Sequence, residues 1–300
     1  MEKILHHYVP CFYLRAWAQN DQIWCLRDGK SFQANVKKIG GEKYFYELPD
    51  LTQKDVRLLQ EFVIDRCHPA GRKVHENLLN AFLIAILAKK RAPLVPNLDP
   101  EKLRVVYEIV ANLDETRYTA IEDRFQPLLG SMLRDDLTFL SEQEKAMEFF
   151  HWIGTQYFRT KKRREAAVAR IKVPFEDVRR VWPLMTHIFA VNMGGDLFRR
   201  RAENQIIILE NETDVPFITG DQPIINLVPL QSDGSPSERI ELYYPLSPSK
   251  SMLLVEDEAL RQTSLTRDQV IDYNLQIASH SYDQIYAVSE ESLNSVGCLV

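Results

Sequence analysis

The change of pattern near Asn204 constrains the fold of this chain most strongly. Between residues 48 and 203, apolar side chains recur every three or four positions, as at Leu59, Phe62 and Val63, which is typical of amphipathic helices. After Asn204, β-branched runs such as residues 205–209 predict strands. Because helical and strand patterns occupy separate stretches, we expect an α+β protein.

The first 47 residues contain a clear hairpin signal. Two alternating runs, residues 22–26 and 31–36, flank the segment Arg27-Asp28-Gly29-Lys30. Asp-Gly between such runs favours a tight two-residue turn. We therefore predict an N-terminal β-hairpin.

The remaining elements follow from helix caps and strand patterns. Asp99 before Pro100 is typical of a helix N-cap with proline in the first turn. Helices are predicted at residues 100–112, 114–134, 141–159, 174–192 and 266–279. Further strands are predicted at residues 217–219, 224–228, 241–244, 251–255 and 284–288, and a mobile loop at residues 232–237. We expect one compact domain over residues 1–300: an N-terminal segment with a hairpin (1–47), a central helical bundle (48–203) and a C-terminal antiparallel sheet with one helix (204–300).

Composition places the chain among ordinary globular proteins. It is 45% hydrophobic and 26% charged, with a net charge of −5. No apolar run approaches the length needed to span a membrane, so we expect a soluble, cytoplasmic protein without a membrane partner. The four cysteines show no Cys-x-x-Cys spacing, which favours reduced thiols. The oligomeric state stays open.

Two adjacent histidines near the N-terminus open the segment His6-His7-Tyr8-Val9-Pro10. Free termini usually carry small or polar residues, so this segment is expected to be held in place. Neighbouring side chains on an extended segment face opposite ways, so one imidazole would point into a site. We expect His6 or His7 to act as a general base or metal ligand; the alternative is a hydrogen-bonded structural histidine.

A second candidate lies in the segment from Phe217 to Pro223. The pattern predicts a strand that ends at Thr219, a sharp turn at Gly220, and a carboxylate presented by Asp221. Asp221 could ligate a metal or act as an acid or base, with Thr219 as a substrate contact. The alternative is a structural turn in which Asp221 bonds to its own backbone.

A third group, Gln156, Arg159 and Arg163, recurs at three- and four-residue spacing, which predicts one helix face able to hold phosphate. Arg159 follows an aromatic run and should be semi-buried, with Asp221 or Glu122 as its partner. The basic residues 161–164 could equally form a solvated helix end.

Several segments form a recognisable set, namely residues 6–10, 12–15, 156–160, 164–165, 217–223 and 244–248, with Asn274. Together they resemble an uncharacterised bacterial family of proteins of unknown function, DUF4238. The family often carries Ser and Asn where Gly220 and Gln222 stand here, and the resemblance implies no settled activity.

Two functional hypotheses follow. The first is a phosphodiester-cleaving, nuclease-like hydrolase, such as a toxin or antiphage effector, with nucleic acid as partner. It would use His6, His7 and Asp221 in catalysis, a divalent metal at His7 and Asp221, and Gln156, Arg159, Arg163 and Thr219 on the substrate. The second is a non-catalytic binding or regulatory protein in which a His/Asp/Arg latch is buried between the terminal regions. Walker, Rossmann, Gly-x-Ser-x-Gly and His-Glu-x-x-His motifs do not occur.

Overall fold

The computed structural model describes residues 4–47, 49–171, 178–228, 237, 239–256 and 263–296. The predicted loop at residues 232–237 lies outside this set except for Ser237. Pro174, the predicted start of the last central helix, also lies outside it.

The N-terminal segment forms the predicted hairpin. Asp28 and Gly29 have φ angles of 51° and 69°, the left-handed conformations of a type I′ turn. This turn joins strands that pair from Gln22↔Asn35 to Arg27↔Lys30. The elements of this segment are β1 (Leu5–His7), α1 (Cys11–Leu14), β2 (Gln22–Arg27), β3 (Lys30–Asn35) and β4 (Gly41–Lys43).

The central region is helical, as predicted. Its first helix begins at a capping box, because the Thr52 hydroxyl and the Asp55 carboxylate satisfy each other's backbone N–H groups. The Asp99 side chain accepts the N–H of Glu101 at the predicted N-cap. The helices are α2 (Gln53–Leu58), α3 (Pro69–Arg91), α4 (Pro100–Ala111), α5 (Leu113–Met132), α6 (Gln143–Phe158), α7 (Lys161–Arg170) and α8 (Val178–Arg199), with a π-helical turn at Leu59–Ile64 after α2.

Helices α6 and α8 pack backbone to backbone. A Cβ atom on Gly194 would lie 2.7 Å from the carbonyl oxygen of Phe150, and one on Gly154 would overlap the carbonyl of Ala190. The absence of side chains at both glycines therefore lets the two helices approach this closely.

The C-terminal region consists of short strands and two helices. Helix α9 begins at a second capping box, formed by Thr266 and Gln269. The elements are β5 (Gln205–Glu210), β6 (Thr219–Gly220), β7 (Ile225–Asn226), β8 (Leu242–Pro245), β9 (Lys250–Val255), α9 (Arg267–His280), β10 (Ile285–Ala287) and α10 (Glu290–Asn294).

The strands are divided among sheets in a way that the sequence did not indicate. One antiparallel sheet has the order β5-β9-β8-β7, while β6 and β10 extend the N-terminal hairpin into a sheet of order β3-β2-β10-β6. The register pairs Tyr286 with Cys25 on one side and with Thr219 on the other. The two ends of the chain therefore share one sheet.

Gly220 is part of a strand rather than the predicted turn. It pairs with Ile285, and a Cβ atom there would overlap the Ser281 hydroxyl. The prediction of a sharp turn at Gly220 was therefore wrong. The position requires a glycine because the Ser281 side chain lies too close for a Cβ atom, and not because the chain turns there.

One apolar cluster links all three regions. It contains Trp17 from the N-terminal segment, Phe125 and Trp152 from the helices, and Tyr244 and Tyr286 from the C-terminal strands. No helix in the described residues is long and apolar enough to cross a membrane.

Candidate functional site

The two histidines lie on β1, which pairs with β4. His6 is 2% exposed, its Nδ1 accepts the backbone N–H of Tyr46 at 2.9 Å, and its ring stacks on the Tyr46 ring with centroids 5.7 Å apart. His7 is half-buried, with Nε2 3.3 Å from the carbonyl oxygen of Lys37. The two imidazoles thus face opposite sides of the strand, as expected of adjacent residues in extended chain.

The contact with the C-terminal strands is made by residues close to the histidines. The amide nitrogen of Gln284, next to β10, donates to the Tyr8 hydroxyl at 3.2 Å, and its amide oxygen accepts from the Gly40 N–H at 3.4 Å and from the Tyr286 hydroxyl at 2.9 Å. Burial raises the pKa of Tyr8 well above its ordinary value, and the nearby charge of Asp221 adds to this effect. Tyr8 is therefore a neutral hydrogen-bonding residue between the two ends of the chain.

Gln156 and Arg159 connect the same segment to the helices. The Gln156 amide donates to the backbone oxygen of Tyr8 at 3.0 Å and accepts from Nε of Arg159 at 2.9 Å. Nη1 of Arg159 donates to Glu122 at 2.8 Å. Arg159 has an exposed fraction of 0%, so of the two partners expected from the sequence, Glu122 is the one that it meets.

Arg163 does not share a helix face with Gln156 and Arg159, contrary to the prediction. Helix α6 ends at Phe158, and Thr160 has extended dihedral angles before α7 begins. The Thr160 hydroxyl donates to Gln222 across this break. The Arg163 guanidinium instead lies over the Tyr157 ring, 3.8 Å from its centroid; burial lowers its pKa.

Asp221 is the most enclosed of the predicted acids, with 1% of its surface exposed. One carboxylate oxygen accepts the backbone N–H of Tyr282 at 2.7 Å; the other accepts those of Asp283 and Gln284 at 2.7 and 3.1 Å. Burial raises the pKa of Asp221 to about 6, although the N–H groups act in the opposite direction. Asp221 therefore fixes the loop that leads into β10. It does not form the Asx-turn within its own segment that was the alternative prediction.

Thr219 is also engaged within the protein. Its hydroxyl lies 2.7 Å from the Tyr13 hydroxyl, which donates to the backbone oxygen of Pro245 at 2.7 Å. Nearby, the Trp17 indole donates to the backbone oxygen of Phe217 at 2.8 Å. The aromatic run after the histidines thus bonds directly to the strand segment that carries Thr219.

A charged rim lies at the start of α7. Lys161 pairs with Asp283 at 2.6 Å and with Glu42 at 3.4 Å, and Arg164 pairs with Glu42 at 3.2 Å. Asp283 is one of the residues whose N–H groups Asp221 binds. These ion pairs join β4, α7 and the loop before β10 at the surface above the buried groups.

We call the buried set Tyr8, Gln156, Arg159, Asp221 and Gln284 the polar latch. It joins the three regions through hydrogen bonds to chain segments that are far apart in sequence. Within the described ranges, no group of three or more His, Cys, Asp or Glu side chains is arranged to hold a metal ion. The arrangement can hold chain segments together and keep a carboxyl group of raised pKa away from water.

Sequence reasoning missed two central partners, Tyr46 and Gln284. Tyr46 contributes its backbone N–H and its ring, and Gln284 is an isolated amide before a short strand. Neither residue has a local sequence signal, because the role of each depends on contacts with segments that are far away in the sequence.

Comparison with known proteins now identifies the family. The family model for proteins of unknown function, DUF4238, matches residues 5–291. The chain belongs to this family. No curated protein and no solved structure matches it. The match confirms the resemblance inferred from the sequence, and all five latch residues lie within the matched range.

Proposed function

We propose that this DUF4238 protein is a non-catalytic binding or regulatory protein in which the polar latch holds its N-terminal, helical and C-terminal regions in one arrangement. The observation that supports the proposal most strongly is the burial and hydrogen bonding of the Asp221 carboxylate. Both of its carboxylate oxygens are occupied by backbone N–H groups, and 1% of the residue is exposed. A general acid or base must reach the proton that it transfers, whereas this carboxylate faces the chain itself.

Two other predicted residues, His6 and Arg159, support the same conclusion. His6 uses its Nδ1 lone pair for the Tyr46 N–H, and Arg159 donates to Gln156 and Glu122. A phosphate-binding arginine would present its guanidinium to solvent or to a cleft. Here the guanidinium stabilises the packing of α5 against α6.

The stability of Asp221→Ala tests the proposal. The substitution leaves three N–H groups of the loop before β10 without their acceptor, one from a buried and two from part-buried hydrogen bonds, at about 1 kcal/mol each. We expect a loss of about 3 kcal/mol, or roughly 6 °C in melting temperature for a chain of this size. The matched control is Asp214→Ala, because Asp214 is 77% exposed and pairs with Arg267 at the surface; its melting temperature should change little. An Asp221→Ala protein as stable as the control would contradict the proposal.

A phosphodiester-cleaving enzyme, acting as a toxin or antiphage effector on nucleic acid, is the second candidate. It is favoured by the cations Lys161, Arg163 and Arg164 in the first turn of α7 and by the raised pKa of Asp221, since perturbed acids are enriched at active sites. The test is incubation of purified protein with RNA and DNA in the presence of Mg²⁺, Mn²⁺ or Zn²⁺. Cleavage that a folded His7→Ala variant loses would support this candidate and overturn the first; uncut substrates would support the first.

A further inference from the structure

The turn between α3 and α4 exposes a run of apolar side chains. Residues 93–96, Pro-Leu-Val-Pro, are all exposed, with exposed fractions of 78% for Leu94 and 50% for Val95. Four consecutive apolar residues are rarely left in contact with water unless the exposed surface has a function. We call residues 93–96 the apolar tip.

The apolar tip lies at the end of a pair of helices. Helix α3 ends at Arg91, and α4 begins at Pro100 without burying any of its own residues. Lys89, near the end of α3, lines the same cavity as Leu103 and Tyr107 of α4, so the two helices lie side by side next to the turn. The apolar tip is therefore a convex end of the protein rather than the wall of a cleft.

The backbone of the apolar tip is suited to an environment without water. The Val95 N–H donates to the backbone oxygen of Ala92 at 3.2 Å, and the Leu98 N–H donates to the backbone oxygen of Val95 at 3.3 Å. Pro93 and Pro96 have no N–H group. Unpaired backbone donors are costly in an apolar phase, so this pairing lowers the cost of moving the turn out of water.

Positive charge surrounds the apolar tip, although the chain as a whole has a net charge of −5. Residues 89–104 contain five cations and two acids. Lys90 pairs with Asp50 at 3.3 Å, and Arg104 pairs with Glu101. Three cations have no ion-pair partner among the residues that the structure describes, namely Lys89, Arg91 and Lys102. An apolar surface bordered by these cations is complementary to a surface that is apolar inside and anionic outside.

We propose that the apolar tip docks on the surface of an anionic lipid bilayer. Leu94 and Val95 enter the acyl region, and the unpaired cations contact the headgroup phosphates. Acyl chains can close around a convex tip, whereas a protein partner would need a matching groove. The expectation of no membrane partner rested on the length needed to span a bilayer, which docking on its surface does not require. No latch residue lies in the apolar tip, so the inference goes beyond the proposed function and can fail independently of it.

Co-sedimentation of the full chain with sucrose-loaded vesicles tests the proposal. One set of vesicles contains equal parts of phosphatidylglycerol and phosphatidylcholine, and the control set contains phosphatidylcholine alone. We expect about tenfold stronger partitioning into the anionic vesicles, because each basic side chain near such a surface adds to binding. Added salt should weaken the binding by screening this attraction.

A double variant tests the apolar part of the contact. Leu94→Ser with Val95→Ser keeps every charge and removes most of the apolar surface, so partitioning into anionic vesicles should fall about tenfold. The matched control is Met147→Ser, because Met147 is 51% exposed on α6 and lies outside the apolar tip. This control should bind vesicles as the wild type does.

A second double variant tests the cations. Arg91→Gln with Lys102→Gln should weaken binding to anionic vesicles about tenfold. Lys73→Gln is the matched control, since Lys73 is an exposed cation near the other end of α3; binding should be unchanged. All of these positions are exposed, so the variants should keep the melting temperature of the wild type.

The proposal is overturned if the chain binds neither set of vesicles, if it binds both sets equally, or if folded Leu94→Ser/Val95→Ser binds as the wild type does. Sedimentation equilibrium without lipid provides a further check. A dimer that this double variant abolishes would make the apolar tip an interface between two copies of the chain, which would also overturn the proposal.

Discussion

The ion pair between Arg159 and Glu122 allows the strongest quantitative test of the latch. The guanidinium is fully buried, lies 5.3 and 5.2 Å from the ring centroids of Tyr118 and Trp152, and bonds to Gln156. Glu122, whose side chain is 22% exposed, provides the balancing charge at 2.8 Å. Glu122→Leu should therefore leave a buried cation without its partner.

Glu122→Leu should lower the free energy of unfolding by about 3 kcal/mol. This value is at the lower end of the range for removing one partner of a buried ion pair, because water reaches Glu122. Replacing Arg159 by Met in the same chain removes the unpaired charge while keeping much of the volume. We therefore expect the double variant Glu122→Leu/Arg159→Met to be more stable than Glu122→Leu alone, with a coupling of roughly 2 kcal/mol. A second substitution that restores stability indicates that the first one left a charge buried without a partner. Loss of packing alone would make the double variant less stable than either single variant.

Urea unfolding at pH 7, supported by thermal melting, provides the measurement. The matched control is Glu61→Leu, because Glu61 pairs with Arg57 at a similar distance of 2.7 Å while 47% exposed; this variant should lose less than about 1 kcal/mol. The reasoning is refuted if Glu122→Leu costs no more than Glu61→Leu, or if adding Arg159→Met lowers stability further.

Three other outcomes are expected. Because burial raises the folded-state pKa of Asp221 to about 6, the stability gained from protonation of this carboxyl group is fully present below pH 4 and lost as the pH rises through 6. The wild type should thus lose about 3 kcal/mol relative to Asp221→Asn between pH 4 and 7, measured by urea unfolding at each pH; equal pH profiles would refute this. Trp17→Phe deletes the indole bond to Phe217 and should lower the urea-derived stability by about 1 kcal/mol or more; an unchanged midpoint would argue against that bond. Gly220→Ala should lower the melting temperature through overlap with the Ser281 hydroxyl, and adding Ser281→Gly should recover part of the loss; no recovery would exclude the overlap as the cause.

Most of the fold could be predicted because its signals are local. Asp28-Gly29 determines a hairpin turn by dihedral preference alone, and Asp99-Pro100 marks a helix start in any context. The helix predicted at residues 141–159 ends within one residue of α6, but no glycine or proline marks the extended Thr160 that separates Arg163 from its face. Thr160 bonds to Gln222, a tertiary contact that the periodicity of the helix cannot reveal.

The site could be predicted only in part for the same reason. The sequence indicated that the histidine segment, Arg159 and Asp221 matter, and family resemblance placed them in one set. The sequence did not indicate their roles, since an aspartate can be either a buried hydrogen-bond acceptor or a catalytic acid. Whether Asp221 faces solvent or backbone depends on the loop before β10, which lies 61 to 63 residues further along the chain.

Hydrogen exchange of the backbone N–H groups of Tyr282, Asp283 and Gln284 tests most directly the claim that Asp221 is a buried acceptor. Mass spectrometry should show these amides protected in the wild type and exchanging much faster in Asp221→Ala, while strand β9 stays protected in both. Exchange in the wild type at the rate of unstructured peptide, or unchanged protection in Asp221→Ala, would contradict the account.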